Sequence, residues 1–450
     1  MTAACTSFGR VTRPSPRVVT AAEAIAALRS EKDSTDIILP YGNGRSYGDT
    51  CQVEDGTLVD MRSLNRILDF DAATGVITAE AGVLLSDIIA HAAPHGFFPP
   101  VVPGTQFVTL GGAIANNVHG KNHHRRGTFG CHVERIELLT SDGETHLCTP
   151  ATNTGLYSAT IGGMGLTGII LSASLRLMRV PSLDIIEKTV PFDSLAQYFE
   201  QAETADRENE YAVAWIDQLA AGRRAGRGLL ISGNHAKQGA RQADTAGRRL
   251  SVPFQPPLNV LNRPFLTAFN AAYRWRRGRD LSAHRTGYQG FFFPLDGVTN
   301  WNRLYGPKGL FQHQSVIPFE AAAETIPAML EAARMAGQGS FLTVLKRFGA
   351  IASPGLLSFP RPGYTLTLDF PNRGARTLAL LGELDAITVA AGGAVNPYKD
   401  ARMSAETFAA SFPAWRQMEA MRDPAFLSRF WARTAMRLGN RDQGLARAAE

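Results

Sequence analysis

Residues 103–127 read Pro103-Gly104-Thr105-Gln106-Phe107-Val108-Thr109-Leu110-Gly111-Gly112-Ala113-Ile114-Ala115-Asn116-Asn117-Val118-His119-Gly120-Lys121-Asn122-His123-His124-Arg125-Arg126-Gly127. The run from Pro103 to Asn117 carries small residues and hydroxyls but no charge. Such a stretch suits a flat, neutral heteroaromatic ring packed against backbone, because glycine has no Cβ to hold a ligand away. From His119 the composition turns to a dense polar cluster. Three histidines (119, 123 and 124) in six positions raise the question of a metal. No carboxylate or thiolate stands beside them, so no metal is expected. A loop facing a substrate or cofactor is the better reading.

A second glycine-rich run, Tyr41-Gly42-Asn43-Gly44-Arg45-Ser46-Tyr47-Gly48-Asp49, lies upstream, and Gly162-Gly163-Met164-Gly165-Leu166-Thr167-Gly168-Ile169-Ile170 lies downstream. Neither the GxGxxG pattern before a helix nor GxxxxGK[ST] occurs. Each loop can still form a nest of backbone N–H groups for a pyrophosphate. Singly, each is most simply a tight surface turn; together they point to a bound ligand.

Strand and helix signals alternate around these loops. Strands are expected at Arg17–Val19, Ile37–Pro40, Leu58–Met61, Ile67–Phe70, Val76–Glu80, Val133–Thr140, Thr145–Thr149 and Leu171–Met178. Helices are expected at Ala21–Leu28 and at Asp87–Ala93 with Ser86 as cap. The texture changes after Pro181. Strands at Tyr211–Ile216, Gly228–Ser232 and Gly363–Phe370 interleave with helices such as Ala321–Ala336. Tyr364–Phe370 alternates at period two, as in a sheet with one face covered. The tail is predicted helical at Ser404–Ser411, Pro413–Met421 and Pro424–Leu438. The fold class is α+β, with an antiparallel sheet flanked by helices in the second part.

The chain has 450 residues, more than one hydrophobic core usually supports, so two domains are expected. With 44% hydrophobic and 19% charged residues the composition is that of a globular enzyme. No apolar stretch is long enough for a transmembrane helix, and Met1–Arg10 has no apolar leader core. The four cysteines (5, 51, 131 and 148) are scattered, which suggests neither a disulfide framework nor a zinc site. A cytoplasmic location is expected. The net charge of +6 is either a solvated surface or an attraction to a phosphate ester or membrane surface. No nucleic-acid module accompanies it. Residues 256–280 combine Leu258, Val260, Leu261, Phe265, Leu266, Phe269, Tyr273 and Trp275 with Arg274, Arg276, Arg277 and Arg279. They read either as a core helix with a basic end or as a basic-amphipathic lid touching a membrane or a lipid-linked substrate.

Gly44 to Asp49, the block Pro103 to His124, and Gly165 to Ile170 resemble the FAD-linked oxidase superfamily of vanillyl-alcohol oxidase type. Within it, the residues are most similar to the decaprenylphosphoryl-β-D-ribose 2′-oxidase family. The resemblance continues through Ala214-Trp215, Trp301-Asn302-Arg303, Gln312, Gln314, Lys346, Asp369-Phe370-Pro371 and Lys399-Asp400. It implies a PCMH-type FAD domain (1–182), a substrate domain (183–394) with a possible lid at 256–280, and a C-terminal segment (395–450) completing the FAD domain. It also implies FAD held by Gly42, Asn43, Gly44, Arg45, Ser46, Tyr47, Gly48, Gly104, Thr105, Thr109, Gly111, Gly112, Asn116, His119, Gly120, His123, Gly168 and Ile169. Arg45 stands where many members of the superfamily carry a flavin-linked histidine, so dissociable, non-covalent FAD is expected.

The implied reaction moves a hydride from a carbinol to flavin N5, and the hydroxyl loses its proton to a group nearby. Lys399, Tyr47 and His119 are the implied catalytic residues. His119, Lys121, Asn302, Gln312, Gln314, Lys346, Thr367 and Lys399 are implied for the substrate, with Lys346 or Arg303 facing a phosphate. The sequence departs from the family at Thr367, where mycobacterial members have cysteine, and at Asn396, where the family has tyrosine. The implied substrate is a polyprenylphosphoryl ribose, oxidised at its 2′-hydroxyl for a partner NAD(P)-dependent keto-reductase, with peripheral contact at the inner membrane face. A free-sugar, alditol or aldonolactone oxidase on the same scaffold is the alternative. A flavin-binding subunit without catalysis has no need of both Lys399 and Gln314.

Overall fold

A β-branched stretch followed by alanines gives strand Arg17–Thr20 and helix Ala21–Ser30. The Thr20 N–H and hydroxyl both donate to the Glu23 carboxylate at 2.8 Å, which satisfies the helix start and places an acid at its positive end. Strands Ile38–Tyr41 and Thr57–Asp60 join Arg17–Thr20 in a three-stranded parallel sheet with Thr57–Asp60 in the middle. The first glycine loop therefore leaves the carboxyl end of a sheet strand. The computed structural model from which this architecture is drawn describes residues 5–30, 36–244, 250–257 and 259–441.

A five-stranded antiparallel sheet follows, in the order Ile67–Asp71, Val76–Glu80, Ile169–Arg176, Val133–Leu139, Thr145–Cys148. Helix Leu110–Ala115 packs on it through fully buried Leu110, Ala113 and Ile114. Its N-cap Thr109 accepts a hydrogen bond from Gly112 N–H at 3.1 Å. The upstream helix spans Leu85–Ala92, so Ser86 lies inside it rather than capping it. The reason is tertiary: Leu85 and Ser86 N–H donate to the carbonyls of Val108 and Gln106, so the long glycine run caps this helix.

The second part is built on an eight-stranded sheet. Its order is His284–Thr286, Ile185–Phe192, Gly228–His235, Tyr211–Ile216, Val344–Phe348, Gly363–Pro371, Leu310–Ile317, Ala394–Val395, and neighbouring strands pair antiparallel. All nine residues of Gly363–Pro371 and all eight of Leu310–Ile317 are buried. The alternation led to an expectation of one covered face, but both are covered. Helices Phe319–Met335 and Ala375–Ala390 cover one face, and the other turns toward the glycine loops. Strand period two sorts the side chains accordingly. Gln312 and Gln314 face the loops, while His313 between them meets Asp385 of helix Ala375–Ala390 at 3.1 Å.

The tail returns to the first sheet. Phe426 forms a parallel bridge with Ile38, and Phe408, Trp415, Phe430 and Trp431 share a core with Leu39 and Leu58. The continuous helix expected over 424–438 is instead a turn, then helix Arg429–Arg433 capped by Ser428, then, after a break at Thr434, helix again from 435 to 441. Asp423 accepts the Ala425 N–H, and Ile38 takes the backbone groups of Ala425 and Leu427, so this stretch pairs as an edge strand does.

Within 256–280 a helix runs from Arg263 to Arg277, capped by Asn262. Leu258 lies outside the described residues. Polar contacts pin the helix: buried Asn270 donates to Asp217 at 2.9 Å, Arg277 pairs with buried Glu187, and Arg274 pairs with exposed Asp193 at 2.6 Å. Among the described residues no helix is long and apolar enough to cross a membrane.

Candidate active site

A single cavity of about 810 Å³ runs between the glycine loops and the eight-stranded sheet, toward the upper end of the range of about 300–1,000 Å³ usual for small-molecule sites. Its wall on the first domain is largely backbone. A Cβ on Gly42 would stand 2.5 Å from Thr109 Oγ1, and one on Gly111 would stand 2.9 Å from Ala81 Cβ. Only glycine lets these loops close on each other. A Cβ on Gly104 would meet nothing within 4 Å, because it would project into open space. Asn43 donates to the Phe107 carbonyl at 2.7 Å and Asn116 to Ser46 Oγ at 3.1 Å, which ties the first loop to the second. Arg45 is largely buried against the Phe107 ring, and its Nε has no hydrogen-bond partner among the described residues.

The opposite end carries ionisable side chains. Tyr47 N–H donates to Tyr398 O and Asp49 N–H to Asp400 O, each at 3.2 Å. These bonds bring the end of the first loop to the Lys399 turn, with Lys399 Nζ 4.4 Å from the Tyr47 ring centre. Burial pulls the Lys399 ammonium down to about 8, against the opposing charge of Asp369. Burial pulls Lys346 down to about 7, reinforced by the charges of Lys121 and Lys399. Asp369 is fully buried, accepts a hydrogen bond from Gln312, and is pushed up to about 7 by burial. His119 is held well below the ordinary imidazole range by burial, then by Lys346, His123 and Lys399. A site of buried amines with shifted protonation beside a long apolar cleft is equipped for proton transfer.

The cavity lining includes Gly42, Asn43, Gly44, Arg45, Ser46, Tyr47, Gly104, Thr105, Thr109, Gly111, Gly112, Asn116, His119, Gly120 and Gly168 from the implied cofactor set. It includes Lys121, Gln312, Gln314, Lys346, Thr367 and Lys399 from the implied substrate set. Five residues fall elsewhere. Gly48 meets the Asp400 carbonyl, which a Cβ would reach at 1.1 Å, so it permits a backbone contact rather than facing the cavity. His123 packs on Phe348 and accepts the Gly349 N–H at 3.1 Å. Ile169 points into the core, and its neighbour Ile170 faces the cavity, as strand alternation requires. Asn302 donates to the Phe8 carbonyl at 2.8 Å. Arg303 donates to the carbonyls of Val252 and Pro253. Lys121 is already engaged by the Phe291 carbonyl and ring.

Sequence reasoning missed an aromatic wall. Phe265, Phe269 and Tyr273 stack along helix Arg263–Arg277 with centroids 6.2 and 5.9 Å apart, and Tyr273 lies 5.0 Å from Trp215. Phe269, Tyr273, Trp215 and Phe341 all line the cavity. The spacing of four residues was visible in the sequence, but whether that stripe met core or cavity was not.

A cleft walled by glycine backbone and ending in buried amines fits a flat dinucleotide cofactor, and fold and site together define a flavin-dependent oxidoreductase. Residues 17–149 match the family of FAD binding domains. The chain is 36% identical to decaprenylphosphoryl-beta-D-ribose oxidase of Mycolicibacterium smegmatis over 417 residues, 89% of each chain. It therefore belongs to the decaprenylphosphoryl-β-D-ribose oxidase family of FAD-linked oxidases. An uncharacterized Streptomyces coelicolor protein is 35% identical over 77% of this chain and 97% of its own. L-gulonolactone oxidase of Mus musculus is 26% identical over 42% of this chain and 41% of its own. The cofactor is FAD, and the chain is an oxidoreductase.

Proposed function

We propose that this enzyme oxidises the 2′-hydroxyl of a polyprenylphosphoryl-β-D-ribose to the ketone. The observation that carries this reading is the shape of the cavity. Its lining gathers Lys399, Lys346 and Gln314 as well as the Phe269–Tyr273 wall, and in the stretch of chain that carries this wall Leu250, Phe254, Val260, Phe265, Trp275 and Leu281 are exposed. A sugar phosphate with an apolar tail matches both parts of that lining. Arg263, Arg276 and Arg279 of the same stretch are exposed, with Arg279 stacked on Trp275 at 4.5 Å. This stretch would rest on an anionic membrane surface while the tail enters.

Bound FAD, held by the two glycine loops without a covalent link, supplies the hydride acceptor. Gly42 to Ser46 would take the pyrophosphate, Gly104 to Asn116 the flat ring system. Lys399, steadied by Tyr47, would bind and polarise the carbinol oxygen. Gln312, Gln314 and Thr367 would hold the ribose ring. The keto product would pass to an NAD(P)-dependent keto-reductase.

The second reading, a free-sugar, alditol or aldonolactone oxidase, draws support from the L-gulonolactone oxidase similarity. One experiment decides between them. Purified protein with FAD is mixed anaerobically with a short-chain prenylphosphoryl ribose, and the oxidised-flavin absorbance is followed. Rapid bleaching is expected. Bleaching by a free alditol or lactone, and none by the prenylphosphoryl ribose, would replace the first reading by the second.

A further inference from the structure

Four hydrogen bonds in series determine the protonation of the deepest side chains. The first donor is a backbone amide, whose direction is not in question: Tyr398 N–H donates to Asn396 Oδ1 at 3.0 Å. That bond assigns the Asn396 amide, so its Nδ2 faces Gln314 Oε1 at 2.8 Å as the donor. The Gln314 amide is assigned in turn. Its Nε2 donates one proton to Thr365 Oγ1 at 3.1 Å and the other to His119 Nε2 at 3.2 Å.

A neutral imidazole accepts at one nitrogen and donates at the other. His119 is buried among cations, which keeps it neutral. With Nε2 accepting, the proton must sit on Nδ1, and Nδ1 lies 3.2 Å from Lys346 Nζ. An ammonium there would aim its own proton at the Nδ1 proton. Only an amine, with its lone pair toward Nδ1–H, closes the series.

We infer that Lys346 rests in the substrate-free site as a neutral amine and is the group that takes the carbinol proton when the hydride leaves. This assignment rests on the oxidation proposed above and divides the work of the two cavity lysines. Burial pulls the Lys399 ammonium down, but Lys399 also faces the Asp369 carboxyl and the Tyr47 ring, which oppose that pull. Lys346 faces His119, Lys121 and Lys399, with its Nζ over the Phe348 ring at 5.9 Å from the centre, and among the described residues it has no carboxylate in ion-pair contact. In the step, Lys346 Nζ turns its lone pair away from His119 Nδ1–H and toward the carbinol, the carbinol O–H bond breaks and its proton joins that lone pair. The C–H bond breaks with both electrons going to the flavin, and the carbon–oxygen bond becomes a carbonyl. Asn396, Gln314 and His119 are positioning residues for Lys346.

This assignment gives Lys346 a proton-accepting role in place of the phosphate-facing one that the family resemblance implied for it or Arg303, and arginine separates the two roles. Lys346→Arg keeps a permanent positive charge but cannot accept a proton. Anaerobic flavin reduction is measured against pH for the wild type, Lys346→Arg, Lys346→Met and Asn396→Leu, with flavin and substrate affinities alongside. The ¹⁵N shifts of His119 are recorded in the flavin-free protein. The wild-type rate should rise with pH through one ionisation near 7, and both Lys346 variants should bind substrate yet reduce flavin about 10²-fold more slowly or worse. Asn396→Leu frees Gln314 and His119 to turn, so the same limb should move up by a pH unit or more. A fault in packing alone would lower the rate without moving the limb. His119 should show the Nδ1–H tautomer.

Wild-type rates in either Lys346 variant, an unmoved limb in Asn396→Leu, or an Nε2–H tautomer would each overturn the assignment. If prenylphosphoryl ribose never bleaches the wild-type flavin, the proposed substrate fails, and the tautomer still decides the resting state of Lys346.

Discussion

Lys399 Nζ lies 4.4 Å from the centre of the Tyr47 ring, and two backbone hydrogen bonds of 3.2 Å keep the segments that carry them side by side. The contact joins a residue of the first glycine loop to one that follows the last strand of the eight-stranded sheet. A cation held over an aromatic face while buried is restrained in position as well as in charge.

Lys399→Met removes the cation and keeps most of the volume. The variant should bind FAD with an unchanged spectrum but reduce it about 10²-fold more slowly or worse, measured by anaerobic single-turnover absorbance. Reduction at the wild-type rate would take Lys399 out of the chemistry.

Gly48→Ala tests the seam behind that pair. The new methyl would sit 1.1 Å from the Asp400 carbonyl oxygen, so one segment must move. A loss of roughly 1–3 kcal/mol is expected, as for an overpacked core, read as a lower thermal midpoint. Flavin reduction should suffer beyond the loss of folded protein, because Tyr47 and Lys399 flank the displaced atoms.

His123 gives a pH signature. Burial holds its imidazole at about 3, below the roughly 6.5 of an unfolded chain, so below that pH the unfolded state binds the extra proton. The stability associated with neutral His123 is complete above about 6.5 and falls as the pH drops toward 3. His123→Gln should flatten the fall by one proton, at most about 1.4 kcal/mol per pH unit, seen by comparing denaturant midpoints at pH 7 and pH 5.

Thr367 lines the cavity, and the family resemblance implies a cysteine at this position in mycobacterial members. Of the four cysteines only Cys51 reaches the cavity wall, and burial pushes its thiol up to about 12, leaving almost no thiolate at neutral pH. Inhibitors that bond to the strand cysteine should leave this enzyme active. Thr367→Cys should become sensitive, and mass spectrometry should find the adduct on residue 367.

Much of the site was legible locally. Glycine loops, hydroxyls and the His119–His124 string are contiguous, and their backbone requirements belong to the loops themselves. What failed depended on direction. His123 and Ile169 lie within the right segments but point away from the cavity, and a one-residue change in position reverses a strand side chain. Asn302 and Arg303 sit beside Trp301, which does line the cavity, yet their groups are taken by the carbonyls of Phe8, Val252 and Pro253.

The sequence by itself determined the α+β class, the flavin family, most of the strands, and which short runs line the cavity. Each of those follows from local periodicity and from residue types contiguous in the chain. Only the tertiary structure decided that Gly48 serves the Asp400 contact, that helix Arg263–Arg277 turns aromatic rings inward, and that Lys346 faces a donor. Those outcomes depend on the pairing of Leu310–Ile317 with Gly363–Pro371 and Ala394–Val395, which brings Gln314, Thr365 and Asn396 together. They depend equally on the docking of that sheet against the His119 loop. A hydrogen bond's direction is settled by every partner in its series, and those partners lie up to 279 positions apart, from His119 to Tyr398.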